Sequence, residues 1–590
     1  MTRAGLWLSA YLVAAAAAAQ PSKAPADALL RAMQDEMARA RVLRIVEVPY
    51  FIEYGVDQAD QVSAAATLGA LLNSGRVRLR IPRIQVRVGD YSFDNTNYLG
   101  TDFYSGVRYE VDRFPLDDSY PVLRRHLWLA TDTAYKAALE AISRKRALVR
   151  SLTVSEQLPD FYRAAPVEMV DRTVLPEIDA SLWSERMRRL SALFLRYPKL
   201  IGSVVDYTAS RGVQYLVNSE GTRVRDPSGL MFVRIRAVSQ APDGMMLRDA
   251  AVLHTRDLSR PPLETDLEQA ARQVAEHLTA LADAPVGDAY TGPVLFEGQA
   301  AAQLFAEVLG RNLLAVRRPL MPPGRSLPFR GSELEGRLGV RVLPEWMDVV
   351  DDPTQKEWRG RPLFGHYRVD MEGVVPVPVV LVEKGVLKSF LLTRQPVKGF
   401  DGSHGRARLP GGFGAKAATI SNLFVRASQT VPLAELKRRL LELCRQRGKP
   451  YGLIVRKMDF PSSASLEEAR RALAAGAGAG ASAPVSQPVL AYRVYADGRE
   501  ELVRGLRFRS LTARSLRDIL AASEELEVFD YLENGAPFAL MGAGAYAAEA
   551  TVVAPSVLVD DLDVDRMGEE LTRPPLVPPP PLLAGAVRDR

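Results

Sequence analysis

Thr291-Gly-Pro-Val-Leu-Phe-Glu-Gly-Gln-Ala-Ala-Ala-Gln-Leu-Phe-Ala-Glu-Val-Leu-Gly310 sets a short apolar run, a Glu-Gly turn and an Ala-rich amphipathic segment end to end near the middle of the chain. A strand that turns into a helix is where many enzymes hold metal ligands or a nucleophile, because the strand fixes where the helix begins. Here the helical part offers Ala300, Gln303, Leu304, Phe305, Glu307 and Val308, with no His, Cys or Asp among them. The frame of such a site is present without its usual donors.

Around this stretch the chain has 590 residues, 64.8 kDa, enough to bury the cores of two or three domains. Apolar residues make up 47% and charged residues 25%, the proportions of an ordinary globular protein. The net charge is +6 and Arg is spread along the chain, which argues against a nucleic-acid partner. Residues 1–20 predict a secretory signal: Arg3 opens it, Leu6 to Ala15 form the apolar core, and Ala14 to Ala19 supply the cleavage site. That run is shorter than the ~20 residues of a spanning helix, so export to the periplasm or beyond, with cleavage and no later membrane contact, is expected. Cys444 is the one cysteine, which excludes an intramolecular disulfide.

Upstream, residues 24–285 predict an α+β domain, an antiparallel sheet with long helices. Asp27 to Arg41 and Ser181 to Tyr197 carry helical periodicity, as does the longer Tyr120 to Ser151 with Leu123, Leu127, Ala134, Ala138 and Ile142 on one side. Val77 to Ile81 and Ile84 to Val88 alternate strictly, which predicts strands whose Arg78, Arg80, Arg83 and Arg87 face water. Thr265-Asp-Leu-Glu268 has the pattern of a capping box and predicts a helix from Asp266 to Leu281. His126 and His277 lie on helices with no partner at helical spacing and are expected to be structural.

Downstream, residues 286–567 turn to β. Hairpins are predicted about Glu383-Lys-Gly385 and Asp497-Gly498, and Leu433 to Arg447 predicts a helix that buries Cys444. Asp348, Asp351 and Asp352 lack the spacing of a calcium loop and predict a solvated turn. Ala474 to Ala483 is a low-complexity Ala/Gly segment, and 568–590 is a Pro-rich tail.

There is no Gly-x-Ser-x-Gly elbow, Walker loop or paired Cys motif. Instead Gly292-Pro-Val-Leu-Phe, Leu343-Pro-Glu-Trp-Met-Asp-Val-Val-Asp-Asp-Pro-Thr354, Asp370-Met-Glu-Gly-Val374, Val382-Glu-Lys-Gly-Val-Leu387 and Gly405-Arg-Ala-Arg408 resemble, in order, the landmarks of the TldD/PmbA family, also called modulator-of-gyrase proteins. The resemblance is clearest over Asp283 to Asp565. It implies a zinc-metallopeptidase relative with a β-rich C-terminal domain, in a family that pairs an active subunit with an inactive one. Active members look like His-Glu-x-x-x-His on the helix after the Val-Leu strand, with a distant Cys as third ligand.

Histidines five apart on a regular helix point about 140° apart, so that motif needs a locally widened turn. Laid on this chain, the first His falls at Phe305, the Glu at Ala306 and the second His at Gly310, with Glu307 one place out of register. The Cys falls near Gly542-Ala543-Gly544. No catalytic or metal residue and no cofactor is therefore expected in this chain. The resemblance implies a TldE-like subunit that pairs with an active TldD-like partner, or with itself, to handle unfolded peptide. Position alone nominates Glu307, Arg311, His404, Arg406 and Arg408 for a substrate groove. Two alternatives stay open: an active metallopeptidase with ligands drawn from separate segments such as His254, His366 and His404, or a peptide-binding scaffold acting alone.

Overall fold

The computed structural model describes residues 27–567 except 43, 45, 100–113, 152–157, 323, 325–330, 412–413, 461–484 and 534–546. The expected signal (1–20), the Ala/Gly segment and the Pro-rich tail lie outside the described residues, as do 542–544.

The architecture is α+β. Helix α1 (Ala28–Ala40) starts where Asp27 accepts a hydrogen bond from the Leu30 amide at 3.0 Å. Two 19-residue strands follow, β1 (Pro49–Thr67) and β2 (Ala70–Val88), joined at Leu68-Gly69. After α2 (Tyr120–Ser151) come β3 (Glu168–Val170), α3 (Ala180–Ala192), β4 (Leu200–Asn218), β5 (Arg223–Gln240), β6 (Met246–Thr255) and α4 (Glu264–Asp283). The sheet order is β2-β1-β4-β5-β3, with β6 also on β5, and only β3 is parallel to its neighbour.

Alternation sorts this sheet into two faces. Ile52, Tyr54 and Val56 pack against α1 and α2, while Val62, Ala64 and Ala66 share a core with residues of α3 and α4. All six have the same parity, so the helices cover one face. The odd-numbered face meets the C-terminal half. Gln85 donates to the Gly414 carbonyl at 2.6 Å, and Lys416 pairs with Glu53 at 2.9 Å, both in full burial.

This corrects the expectation that the arginines of β2 face water. Of the four arginines named, Arg78 alone does; Arg80, Arg83 and Arg87 are buried. Arg83 pairs with Asp57 at 2.9 Å and Arg87 with Asp94 at 2.7 Å, while Arg80 pairs with Asp118. Arg83 and Arg87 lie on the odd-numbered side, which carries the C-terminal half instead of solvent, whereas Arg80 is on the other side and is covered by Pro115, Asp117 and Asp118. Nor does a capping box form: α4 begins at Glu264, Leu263 caps it without a side-chain bond, and Glu268 instead pairs with Arg272 at 2.7 Å.

The C-terminal half is built on one mixed sheet of eleven strands. Its central members are Met347–Asp351, Asn422–Ala427, Ala548–Arg566, β7 (Tyr290–Phe296), Gly452–Met458 and Pro488–Val494. Among the described residues Ile519–Glu533 pairs only with Ala548–Arg566. Val294 and Phe296 face a core shared with α5 (Gln299–Leu304), while Leu295 faces α6 (Leu433–Gln446) and Cys444 on the other side. The hairpin at Lys384-Gly385 forms with φ of 47° and 73°, the left-handed pair that a two-residue turn needs. Asp351, expected in a solvated turn, is fully buried at the end of its strand and pairs with Arg406 at 2.8 Å.

Candidate functional site

β7 runs into the turn Glu297-Gly298, where Gly298 takes φ 58°, ψ −124°, a conformation open to glycine. The helix that follows is regular only to Leu304. Phe305–Leu309 widens into a π turn, closed by the Gly310 amide donating to the Phe305 carbonyl, and Gly310–Leu313 then tightens to 3-10 geometry. In a π turn residues five apart come nearly into line. The widened turn that the resemblance demands is present at 305–310, and Phe305 and Gly310 occupy its corresponding points.

What fills those points is apolar. Phe305 is fully buried, Ala306 is 2% exposed and Gly310 is buried. A Cβ on Gly310 would come 3.2 Å from Ile420 Cδ1. These residues do not fit zinc: a phenyl ring, a methyl group and a hydrogen provide no donor, and a peptidase zinc needs about three ligands plus an open position. Among the described residues no three His, Cys, Asp or Glu gather closely enough to hold a metal ion. The histidines proposed to converge are engaged singly. His366 Nδ1 lies 2.7 Å from the Pro353 carbonyl, His404 Nδ1 lies 3.1 Å from that of Phe390, and His254 packs 4.9 Å from the Phe364 ring.

Of the five groove candidates, two come together at the π turn. Glu307 is buried there, pairs with Arg311 at 3.0 Å, and accepts from the Ser486 amide at 3.0 Å and hydroxyl at 3.1 Å. Burial opposes the Arg311 charge, but Glu307 and Glu533 outweigh it and raise its pKa. His404, Arg406 and Arg408 form a second group. Arg406 is locked on Asp351, and Arg408 pairs with Glu549 at 2.7 Å with its guanidinium 4.5 Å from the Tyr367 ring centre. Burial lowers the His404 pKa, so that imidazole is neutral near pH 7.

A cleft of about 200 Å³ lies between the two halves, walled by β6 and α4 on one side and by α5, Gly452–Met458 and Ile519–Glu533 on the other. At one end Asp249, 1% exposed, accepts from His277 Nδ1 at 2.9 Å and pairs with Lys457 at 2.5 Å. Burial would raise the Asp249 pKa, yet Lys457 and His277 hold it below the usual carboxylate range. The sequence hid this pair: the carboxylate that orients His277 is 28 residues upstream on a strand, outside any helical spacing.

Residues 289–458 match the PmbA/TldA metallopeptidase C-terminal domain. Over 196 residues the chain is 26% identical to a metalloprotease of Methanothermobacter thermautotrophicus, covering 33% of this chain and 40% of that one. Over 78 residues it is 44% identical to a metalloprotease of Archaeoglobus fulgidus, covering 13% of this chain and 17% of the other. The matches thus span less than half the length of these relatives. TldE from Thermococcus kodakarensis shares the fold, with a TM-score of 0.56 at 14% identity over 90% of this chain and all of the other. A protein described as a modulator of a DNA gyrase from Thermotoga maritima has a TM-score of 0.54 at 15% identity, over 87% and 96% of the two chains. The domain match and the ordered landmarks make residues 289–458 a PmbA/TldA-type C-terminal domain, one whose central helix carries Phe, Ala and Gly where the resemblance places His-Glu-x-x-x-His.

Proposed function

We propose that this chain is the non-catalytic member of a pair: a degenerate TldE-like subunit that joins an active zinc-binding relative and helps enclose unfolded peptide for cleavage. One observation carries this. The π turn keeps the geometry of a metal-binding helix, while its three key positions are closed by Phe305, Ala306 and Gly310. A site retained in shape and emptied of donors suits a chain selected to pack against a partner more than one selected for chemistry.

The test mixes the purified chain with a relative that keeps both histidines and follows hydrolysis of a reduced, unfolded protein. The pairing predicts a complex on gel filtration and chelator-sensitive cleavage faster than the relative shows alone. A chain that neither binds the relative nor changes its rate overturns it. Export is part of the same proposal, on the strength of residues 1–20, and cell fractionation checks it: recovery of uncleaved chain in the cytoplasm would remove that element.

A further inference from the structure

The cleft has the form of a strand-shaped slot. Asp249, Ala250, Ala251, Val252 and His254 all line it, although alternate residues of a strand point to opposite faces. Both faces can contribute only where the edge of β6 looks into the cleft. Among the described residues β6 pairs only with β5, so its other edge is free, and Ala250 already offers its carbonyl to Lys457 Nζ at 2.7 Å. Across the cleft the adjacent residues Phe529 and Asp530 both line it, which turns the same way the edge of Ile519–Glu533 that pairs with no strand among the described residues. Residues 249–254 run for about 20 Å at roughly 3.3 Å per residue.

Its charges cancel in place. Asp249 pairs with Lys457, Asp459 with Arg248, Asp530 with Arg361 at 2.7 Å, and Arg456 with Glu500 at 2.7 Å. That leaves neutral hydrogen-bonding groups, among them the amides of Gln273, Gln299 and Gln303 and one nitrogen of His277. The ionised Asp249 is an acceptor only, so in the neutral imidazole the His277 proton sits on Nδ1 and Nε2 is left as an acceptor. The His277 side chain is 32% exposed and lines the cleft.

We propose that His277, held in this tautomer by Asp249, receives a hydrogen bond from an amide N–H of an extended peptide lying along the free edge of β6. This rests on the peptide-handling part of the function proposed above and adds a specific residue to it. His277 is a positioning and recognition residue; no bond is made or broken.

The test uses the full chain, a fluorescein-labelled eight-residue peptide of alternating threonine and alanine, and fluorescence anisotropy. His277→Phe weakens binding about fivefold or more, the worth of one hydrogen bond. His277→Gln, which can still accept, stays within about twofold of the parent chain. Gln273→Trp, an exposed helix position that leaves the fold intact, blocks the slot and weakens binding about tenfold or more. N-methylation of alternate peptide amides abolishes binding. The proposal fails if the parent chain does not bind the peptide, if His277→Phe and Gln273→Trp bind like the parent, or if the N-methylated peptide binds equally well. A chain that binds peptide through His277 yet adds nothing to a zinc-retaining relative would overturn the pairing and leave this inference standing.

Discussion

Phe305 and Glu307 are two residues apart and do opposite work. Phe305 fills an apolar core, while Glu307, buried beside it, accepts hydrogen bonds from three donors on Arg311 and Ser486. Removing that carboxylate strands a mostly buried guanidinium and a backbone amide. Glu307→Ala should therefore cost about 2–4 kcal/mol of stability in urea unfolding. Asp370 offers a pH handle. Burial, then the neighbouring Glu372 carboxyl, pushes it up to about 7, against backbone amides of Val374, Ala407 and Glu372 that donate to it. Because its folded pKa is raised, its stabilising contribution is full below about pH 4, the unfolded value, and is lost as pH rises through 7. Asp370→Asn should flatten the fall in urea midpoint across that window; an unchanged slope would show that Asp370 does not titrate there.

At the scale of elements, the 299–313 segment is three helices of different pitch laid end to end. The π turn is braced by Asn312 Nδ2, which donates to the Val308 carbonyl at 2.8 Å, and Gln303 is tied to the Met458 amide at 2.8 Å. Gly310 leaves no room for a side chain against Ile420. Gly310→His should cost about 1–3 kcal/mol through overpacking, and Ile420→Val in the same chain should recover part of it. Elements of this kind were legible in different degrees. Tyr120–Ser151 could be read to the residue, because its apolar positions repeat cleanly over 32 residues. Pro82 did not end β2, since its missing amide proton falls on the edge strand of the sheet. The widened turn was legible only through the family resemblance, because Ala-Glu-Val-Leu has no local signal for a π turn. The partners of Arg83, Arg87 and His277 were hidden, since Asp57, Asp94 and Asp249 reach them through the fold and not through spacing along a helix.

Over the whole molecule, the two halves are held by ion pairs that no local pattern announces. Lys416–Glu53 is buried on both sides, Arg394 pairs with Glu220 at 2.7 Å, and Lys457–Asp249 closes one end of the cleft. The core of the N-terminal half also takes in Leu490 from the C-terminal half, with Val489 and Tyr492 packed beside it. Breaking one buried pair costs far more than replacing both partners. Lys416→Met should lower stability by about 3–5 kcal/mol, and Lys416→Met with Glu53→Leu should regain most of that loss in a double-mutant cycle.

The C-terminal domain match, the π turn and its apolar filling are the observations on which the proposed non-catalytic role rests. The direct measurement is the metal content of the purified chain, by inductively coupled plasma mass spectrometry, with peptide hydrolysis assayed in the same sample. The account predicts zinc far below stoichiometric and no hydrolysis by the chain alone. About one zinc ion per chain, with hydrolysis lost on chelation and restored by the metal, would contradict it.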